Sequence, residues 1–285
     1  MRPWLICAAV CLAEACGAQN VEVRVSFPVV AGNGATVSTS GSGKAIFYLV
    51  GPGVSSKNEI KLGEEIQLRT RDTQNAGAYQ AIVCSERCAS ATFYVSAANP
   101  ASLTFLVHPS RVPVSQNDAV SGVAFPFDQF HNFILTPLSI EFRLTAGSAA
   151  LMTQAVRTRA GVAWFRTTSG KSAGALRVVA ALDNLSAQRV VQQVAADPCN
   201  LRIAGQRNRS GILVQTEPVR DCAGNPVPDG TIVTFTAADA NGKSTVDAPI
   251  KQGVARVEIA ASGGASISVA SGVVMGNEIH IGAQP

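Results

Sequence analysis

The sequence predicts an all-β chain of tandem β-sandwich domains, and three observations favour this fold class. Only 15% of the 285 residues are charged and 6% are aromatic, while small and β-branched residues are abundant, as suits short strands. No stretch after residue 20 shows a sustained 3.6-residue apolar period with caps at both ends, so helices are not expected. The second half of the chain also carries a repeat of sandwich-domain length.

The repeat has a period near 93 residues. Asp221 follows Asp128 by 93 positions, and each Asp precedes an Asn by four positions. A Phe follows each Asn ten positions later, at Phe142 and Phe235, and a Gly-Val-Ala triplet that starts at Gly161 recurs after 92 positions. This period indicates two copies of one domain type.

Turn and strand signals explain the second copy. Residues 221–230 read D-C-A-G-N-P-V-P-D-G, a run dense in turn formers, and Thr231–Phe235 then alternates as a strand. Val254–Ile259 is predicted as the next strand, with apolar positions 254, 257 and 259 and a slip at Ala255. Two closing strands are expected at Ala265–Ala270 and Glu278–Ile281.

These motifs resemble the invasin/intimin-type bacterial immunoglobulin-like domain. In residues 219–260 the order D-x-x-G-N-P-V-P-D-G-T-x-V-x-F-x-A, followed by G-V-A-x-V-E-I, is similar to that family. The first copy, residues 125–166, keeps the skeleton but places His131 where the second copy has Gly224. The resemblance implies an immunoglobulin-like sandwich and a role in adhesion.

The N-terminal part of the chain lacks this motif but is also predicted to be a sandwich. Tyr79 stands in a G-A-Y segment similar to the one before strand F of immunoglobulin domains, where the hydroxyl binds an upstream backbone group. The strand-like segments are Ala45–Val50, Glu59–Leu62, Ile66–Leu68 and Ala91–Val95.

Four segments result from this interpretation. Residues 1–18 are a signal peptide, 19–98 an Ig-like β-sandwich domain, 99–196 a bacterial Ig-like domain and 197–285 a third domain of the invasin/intimin type. The joints between the three domains are short Ala/Pro segments, too short to be flexible linkers.

The N-terminus predicts export. Arg2 precedes an apolar run from Trp4 to Ala13, the layout of a secretory signal. Cleavage after Ala18 leaves a secreted chain, whereas cleavage after Ala15 leaves Cys16 first and permits a lipid anchor. No later segment is apolar for long enough to span a membrane, so the expected locations are extracellular, cell surface or periplasm.

Cysteine usage agrees with export. Four cysteines follow the predicted signal, and an even number in an exported chain indicates disulfides. Of the three possible connectivities, locality favours Cys84–Cys88 and Cys199–Cys222. On the chain-entropy view these bridges contribute roughly 2 and roughly 3 kcal/mol.

No catalytic set is recognisable, so the chain is predicted not to be an enzyme and to need no cofactor or metal. The three histidines are isolated, and Gly41–Lys44 lacks the first Gly and the Ser/Thr of a phosphate loop. A net charge of +4 is too small to indicate nucleic-acid binding. The acidic residues considered for interdomain calcium are scattered, at Asp128, Asp221, Asp229 and Asp239.

The binding residues are therefore unknown, with three candidates. Trp164, next to Phe165, is the available aromatic platform for a sugar. Arg207 and Arg209 belong to an arginine-rich stretch, with Arg202 and Arg220, that offers an acidic polysaccharide or lipid headgroup a basic patch. A solvated face explains the same arginines without a ligand.

Three functions are compatible with these observations. The leading hypothesis is a non-catalytic adhesion or structural scaffold at the cell surface or in the periplasm, with a protein or glycan partner. The alternative is a carbohydrate- or protein-binding module of an export or envelope system. An enzyme with acidic groups that the sequence does not pair is the third.

Overall fold

The computed structural model describes residues 20–260 and 263–282, so the predicted signal peptide and Cys16 lie outside the described residues. Within this part of the chain, no helix is long and apolar enough to cross a membrane. The chain divides into two compact units. The first comprises the described chain up to Pro100 together with Phe127–Ile134, and the second comprises Ala101–Pro126 and the chain from Leu135 onward.

The first sandwich lies in the first unit. A three-stranded sheet of order β1-β3-β6 faces a five-stranded sheet of order β2-β8-β7-β4-β5. Their shared core includes Val37 from one sheet and Phe47, Tyr79 and Phe93 from the other, all at most 1% exposed. The strands are β1 Val23–Val25, β2 Val29–Val30, β3 Ala35–Thr39, β4 Lys44–Gly51, β5 Val54–Lys61, β6 Ile66–Leu68, β7 Gly77–Cys84 and β8 Cys88–Ser96.

The second sandwich repeats this arrangement and lies in the second unit. Its sheets have the orders β14-β11-β9 and β10-β16-β15-β12-β13. In its core, the ring of Phe142 contacts the rings of both Phe105 and Phe165. The strands are β9 Ser102–His108, β10 Arg111–Pro113, β11 Val120–Phe127, β12 Ser139–Ala146, β13 Ala149–Arg157, β14 Ala163–Thr167, β15 Gly174–Leu182 and β16 Leu185–Val194.

The third sandwich follows in the same unit. Its sheets have the orders β18-β19-β23 and β22-β21-β24-β25, and the short pair β17-β20 stands beside them. Phe235, Ile212 and Ile250 are fully buried in its core. The strands are β17 Pro198–Cys199, β18 Ile203–Arg207, β19 Ile212–Thr216, β20 Arg220–Asp221, β21 Ile232–Asp239, β22 Gly242–Pro249, β23 Arg256–Ile259, β24 Ala265–Ser271 and β25 Val274–Ile281.

Alternation of apolar and polar residues produces these sheets. In β4 and β12 every second residue is buried, as expected for strands with one face on the core and one in water. The predicted all-β class and sandwich fold are thus confirmed. The structure also confirms the Tyr79 prediction, because the Tyr79 hydroxyl donates to the carbonyl oxygen of Asn75 at 2.8 Å.

Some strand predictions were wrong in their bounds or phase. The strands predicted at Ala91–Val95 and Glu278–Ile281 begin earlier, at Cys88 and Val274. The strand predicted at Glu59–Leu62 begins five residues earlier, because the polar segment from Val54 onward pairs with β4 as an edge strand whose exposed residues carry no apolar pattern. In the segment 254–259 the buried face is Ala255, Val257 and Ile259, so Ala255 is in phase and Val254 is not. Val254 instead forms an isolated bridge with Lys251.

Candidate functional site: paired Asp–Asn clamps

Two carboxylates are buried at corresponding places in the repeat. Asp128 follows directly after β11 and is 1% exposed, and Asp221 lies in β20 and is 4% exposed. A carboxylate is almost never fully buried unless it is paired with a charge or with hydrogen-bond donors. Each of the two therefore requires a set of donors around it.

The donors to Asp128 come from its own loop and from the chain before it. Within the loop, the backbone N–H groups of Phe130 and Asn132 donate to Oδ1 at 2.9 and 2.8 Å. The backbone N–H of Ala98 and the side-chain Nδ2 of Asn132 donate to Oδ2, both at 2.9 Å. Four donors thus satisfy one carboxylate.

Asp221 has the same set of donors. Backbone N–H groups of Ala223 and Asn225 donate to Oδ1 at 2.9 and 2.8 Å. The backbone N–H of Ala196 donates to Oδ2 at 3.1 Å, and Nδ2 of Asn225 donates to the same atom at 3.0 Å. Ala196 occupies in this set the position that Ala98 has around Asp128, so the repeat extends to contacts with the preceding joint.

These donors determine the charge state of both carboxyl groups. Burial raises the pKa of each one, but the Asn side chain and the backbone N–H groups outweigh burial, so the pKa of Asp128 and that of Asp221 lie below the usual value. Both groups are therefore ionised at neutral pH. An ionised carboxylate accepts all four hydrogen bonds, whereas a protonated one does not.

The Asn of each loop makes a second pair of hydrogen bonds, with a loop that precedes it in the chain. Asn132 donates from Nδ2 to the carbonyl oxygen of Gln74 at 2.6 Å and accepts at Oδ1 from the N–H of Ala76 at 2.8 Å. Asn225 donates to the carbonyl oxygen of Lys171 at 2.8 Å and accepts from the N–H of Ala173 at 2.9 Å. Each amide thus bridges the backbone of residues i and i+2.

We call each set an Asp–Asn clamp: the first consists of Asp128 and Asn132, the second of Asp221 and Asn225. The first clamp lies within the first unit and fixes the 127–134 loop to the loop between β6 and β7. The second clamp lies within the second unit, where it joins the third sandwich to the loop between β14 and β15 of the second.

The receiving loops are themselves held in place. Beside the first clamp, Tyr79 binds the carbonyl oxygen of Asn75, the residue between the two that Asn132 contacts. Beside the second clamp, the buried amide of Gln193 accepts from the N–H of Gly170 and donates to the carbonyl oxygen of Ser172. Each loop therefore presents a fixed backbone shape to the Asn.

The two clamps are reinforced differently. In the second, Cys222 follows Asp221 and forms a disulfide with Cys199, next to the joint. In the first, Phe130 of the clamp loop packs against the core of the first sandwich. The second clamp thus has a covalent bridge beside it, and the first clamp has an apolar contact.

The two copies carry different residue types at the left-handed position of the loop. Gly224 has φ +87° and His131, its counterpart, has φ +64°. Glycine adopts this region without cost, whereas a residue with Cβ is disfavoured there. The substitution seen in the sequence therefore preserves the turn at some cost in conformational energy.

The other predicted site residues lie elsewhere. The Cys84–Cys88 disulfide closes the turn between β7 and β8 of the first sandwich. Trp164 is 64% exposed on β14, and its neighbour Phe165 is 3% exposed in the core. Strand alternation therefore leaves Trp164 as the accessible member of that pair.

The arginine-rich stretch does not form one patch. Arg202 precedes β18 and Arg207 ends it, so the five-residue strand separates them by roughly 15 Å. Arg220 pairs with Cys199 at the same end as Arg202, while Arg209 lies in the turn after β18. The predicted pair Arg207 and Arg209 does line one shallow cleft of about 590 Å³. Arg207 also donates to the carbonyl oxygens of Gly263 and Gly282.

The acidic residues considered for calcium have backbone donors as partners. Asp229 accepts from the N–H groups of Gln252 and Gly253, and Asp239 accepts from that of Asn241. Over residues 20–260 and 263–282, no group of three or more His, Cys, Asp or Glu side chains converges.

Sequence reasoning found the Asp and Asn of both loops as a repeat but missed what they bind. Their partners are backbone atoms of Gln74, Ala76, Lys171 and Ala173, and a backbone atom places no demand on residue type. Ala98 and Ala196 both lie in the short Ala/Pro joints that the sequence indicated between domains, and this was a signal that they share a role.

Three solved structures of bacterial proteins are similar to this chain. The adhesin FdeC of Escherichia coli has a TM-score of 0.64 at 17% identity, with 93% of this chain and 97% of that chain covered. InvD of Yersinia pseudotuberculosis has a TM-score of 0.53 at 11% identity, with 93% and 98% covered. Invasin, a bacterial integrin-binding protein, has a TM-score of 0.51 at 11% identity, with 94% of this chain and 60% of invasin covered.

These likenesses show the fold, a series of immunoglobulin-like β-sandwiches, and confirm the predicted resemblance at that level. No protein-family model matches the chain, and no curated protein matches it significantly.

Proposed function

We propose that this chain is an exported, non-catalytic scaffold, in which three domains at 19–98, 99–196 and 197–285 present a binding surface to a protein or glycan partner of the cell envelope. The observation that carries the proposal is the repeated Asp–Asn clamp. The same buried carboxylate and the same bridging amide recur at Asp128 and Asp221, with equivalent donors.

The clamp supports a mechanical role. Contacts between domains of one chain are usually polar and permit relative motion. In the second unit, however, Asn225 and Asp221 bind backbone groups of the second sandwich and of the joint. Hydrogen bonds to a buried charge are among the stronger ones, about 1.5–3 kcal/mol each. A joint held in this way suits a protein that spaces or presents a surface.

Export is supported by the cysteines and by the N-terminal segment. Disulfides persist in oxidising compartments, and both Cys84–Cys88 and Cys199–Cys222 are disulfide-bonded. Processing after Ala18 gives a secreted or periplasmic scaffold, and processing before Cys16 gives one anchored by lipid.

Adhesion is supported by analogy of fold. The similar structures include a protein described as an adhesin and one described as integrin-binding. Because one fold hosts many functions, this analogy selects the class of function and not the partner.

Protease shaving of cells that express a C-terminally tagged chain tests the proposal. Loss of the tag from intact cells is expected for a surface scaffold, and protection until the outer envelope is opened is expected for a periplasmic one. A periplasmic protein and a cytoplasmic protein serve as controls. A tag that remains with the cytoplasmic control, on a chain that keeps residues 1–18, would contradict export.

A further inference from the structure

The exposed face of the sheet β14-β11-β9 in the second sandwich carries an aromatic platform. Trp164 is 64% exposed and lies opposite Val123 of β11. Two residues further along β14, Arg166 lies opposite Ser121 on the same face. An exposed indole next to a guanidinium offers both a flat apolar surface and charged donors.

Arg166 is oriented before any ligand arrives. Its Nε donates to the backbone carbonyl oxygen of Asp118 at 2.8 Å. Among the described residues, the two Nη groups of Arg166 have no hydrogen-bond partner. A guanidinium held at Nε loses little further freedom on binding, and paired N–H groups of arginine match the two oxygens of a carboxylate.

A shallow cleft of about 550 Å³ extends from this platform, and its volume suits a ligand of one or two sugar rings. Trp164 and Arg166 line one side, and Arg111 with His108 lines another. Asp118 is the acidic residue among these neighbours, so the fixed charges of the lining are two arginines against one aspartate. The cleft is therefore positive.

We infer that this cleft binds an acidic saccharide, with a sugar ring stacked on the indole of Trp164 and its carboxylate bound by Arg166. The apolar face of a pyranose ring carries C–H groups that contact a flat π-surface, while its hydroxyls stay in reach of polar side chains. Arg111 adds charge attraction for the carboxylate. A purely apolar ligand would offer no acceptor to the Nη groups of Arg166. A neutral sugar would stack on Trp164 but would supply no carboxylate to Arg166.

This inference deepens the adhesive part of the proposed function, on which it rests for its biological setting. It is a statement about one sandwich in solution, so its test does not depend on where the chain is located. If neither acidic probe binds, the acidic saccharide is ruled out as the ligand of this cleft. The protease-shaving experiment then still decides whether the chain is exported.

Titration of the purified chain with acidic sugars, followed by tryptophan fluorescence, tests the inference. Trp164 is the one tryptophan besides Trp4, which lies in the predicted signal peptide, so the signal reports on the platform. Trigalacturonic acid and 3′-sialyllactose are the probes, and the methyl ester of trigalacturonic acid and lactose are their neutral controls. A saturable change with at least one acidic probe, with binding at least about tenfold weaker for its neutral control, is expected.

Variants separate the two contacts by calorimetric titration. Trp164→Ala and Arg166→Gln should each weaken binding about tenfold or more, and Arg166→Lys should recover little of it, because lysine keeps the charge and loses the fork. Tyr94→Ala, an exposed aromatic in the first sandwich, and Arg189→Gln, an exposed arginine on β16, are matched controls that should bind as the parent does. All five variants are surface substitutions, and unchanged melting temperatures will verify their folding.

Three results would overturn the inference: no binding of either acidic probe, equal binding of the neutral controls, or equal loss in Tyr94→Ala and Arg189→Gln. If no saccharide binds but a protein binds in a way that Trp164→Ala abolishes, the partner of this cleft is a protein and not a sugar.

Discussion

The side chain of asparagine is the chemical basis of both clamps. Its amide is a donor and an acceptor at once, so Asn132 and Asn225 each satisfy a carbonyl oxygen and an N–H two residues further along another loop. An aspartate there would offer no donor, and it would stand next to a second carboxylate. The neighbouring Asp128 and Asp221 orient the amide by accepting from its Nδ2. Acid and amide thus have distinct, complementary roles.

The left-handed residue of each loop gives a matched pair of substitutions. His131→Gly should stabilise the protein by about 0.5–1 kcal/mol, because glycine relieves the cost of φ +64° at that position. Gly224→Ala should destabilise it by about 1 kcal/mol, although its Cβ would meet no atom within 4 Å. Urea denaturation of the two variants measures both. Two shifts of the same sign would contradict the backbone explanation.

At the scale of the element, each clamp loop makes its defining contacts with a loop that precedes it in the chain. The loop after β11 reaches Gln74 and Ala76, and the loop after β20 reaches Lys171 and Ala173. The receiving loop precedes β7 in one case and β15 in the other, which are equivalent strands of the two sheets. In the second unit, the clamp contacts thus extend the repeat from the third sandwich to a loop of the second.

Removal of one amide should release the receiving loop. In Asn225→Ala, the backbone N–H of Ala173 loses its acceptor, so its hydrogen exchange should accelerate about fivefold, in line with one hydrogen bond of about 1 kcal/mol. Exchange followed residue by residue by NMR measures this.

The same substitution at Asn58, an exposed position on β5, is the control and should leave Ala173 unchanged. Protection of Ala173 that persists in Asn225→Ala would show that the side chain of Gln193, and not the clamp, holds this loop.

The sequence predicted most strands because alternation is a local property, as in β4, β6 and β24. It could not assign contacts between loops, since the partners of Asn132 and Asn225 are backbone atoms. Alternation also does not say whether the arginines of the arginine-rich stretch lie together. Arg202 and Arg207 are close in sequence, but an extended strand places them at opposite ends. For Trp164 and Phe165, alternation alone predicted that one side chain is exposed and the other buried.

At the scale of the whole molecule, stability is distributed over three separate cores and two buried carboxylates. Each core is closed by its own pair of sheets. The carboxylates add a dependence on pH that apolar cores lack. Since the pKa of Asp128 and that of Asp221 are lower in the folded protein, both groups favour folding when they are ionised.

Acid should therefore weaken the protein over a defined range. The stabilisation is fully present above the unfolded pKa of about 3.9, and it is lost as the pH falls through the lower folded pKa. Melting temperatures measured from pH 7 to pH 2.5 should thus begin to fall near pH 4. Asp221→Asn should be less stable at pH 7 by about 1–3 kcal/mol and should fall less steeply in acid.

The double substitution of Asp128 and Asp221 by Asn should flatten the acid limb further than either single one. Parallel curves for the parent and the double variant would assign the acid sensitivity to other groups.

The receiving side of each clamp contributes main-chain atoms alone, and its residues differ between the copies: Gln74 and Ala76 in one, Lys171 and Ala173 in the other. The Asn contacts themselves therefore place no demand on residue type at these positions, although the side chains of Tyr79 and Gln193 hold the two turns. Within the second unit, a change of residue type at Lys171 or Ala173 needs no matching change at Asn225, because the contact uses only their backbone atoms.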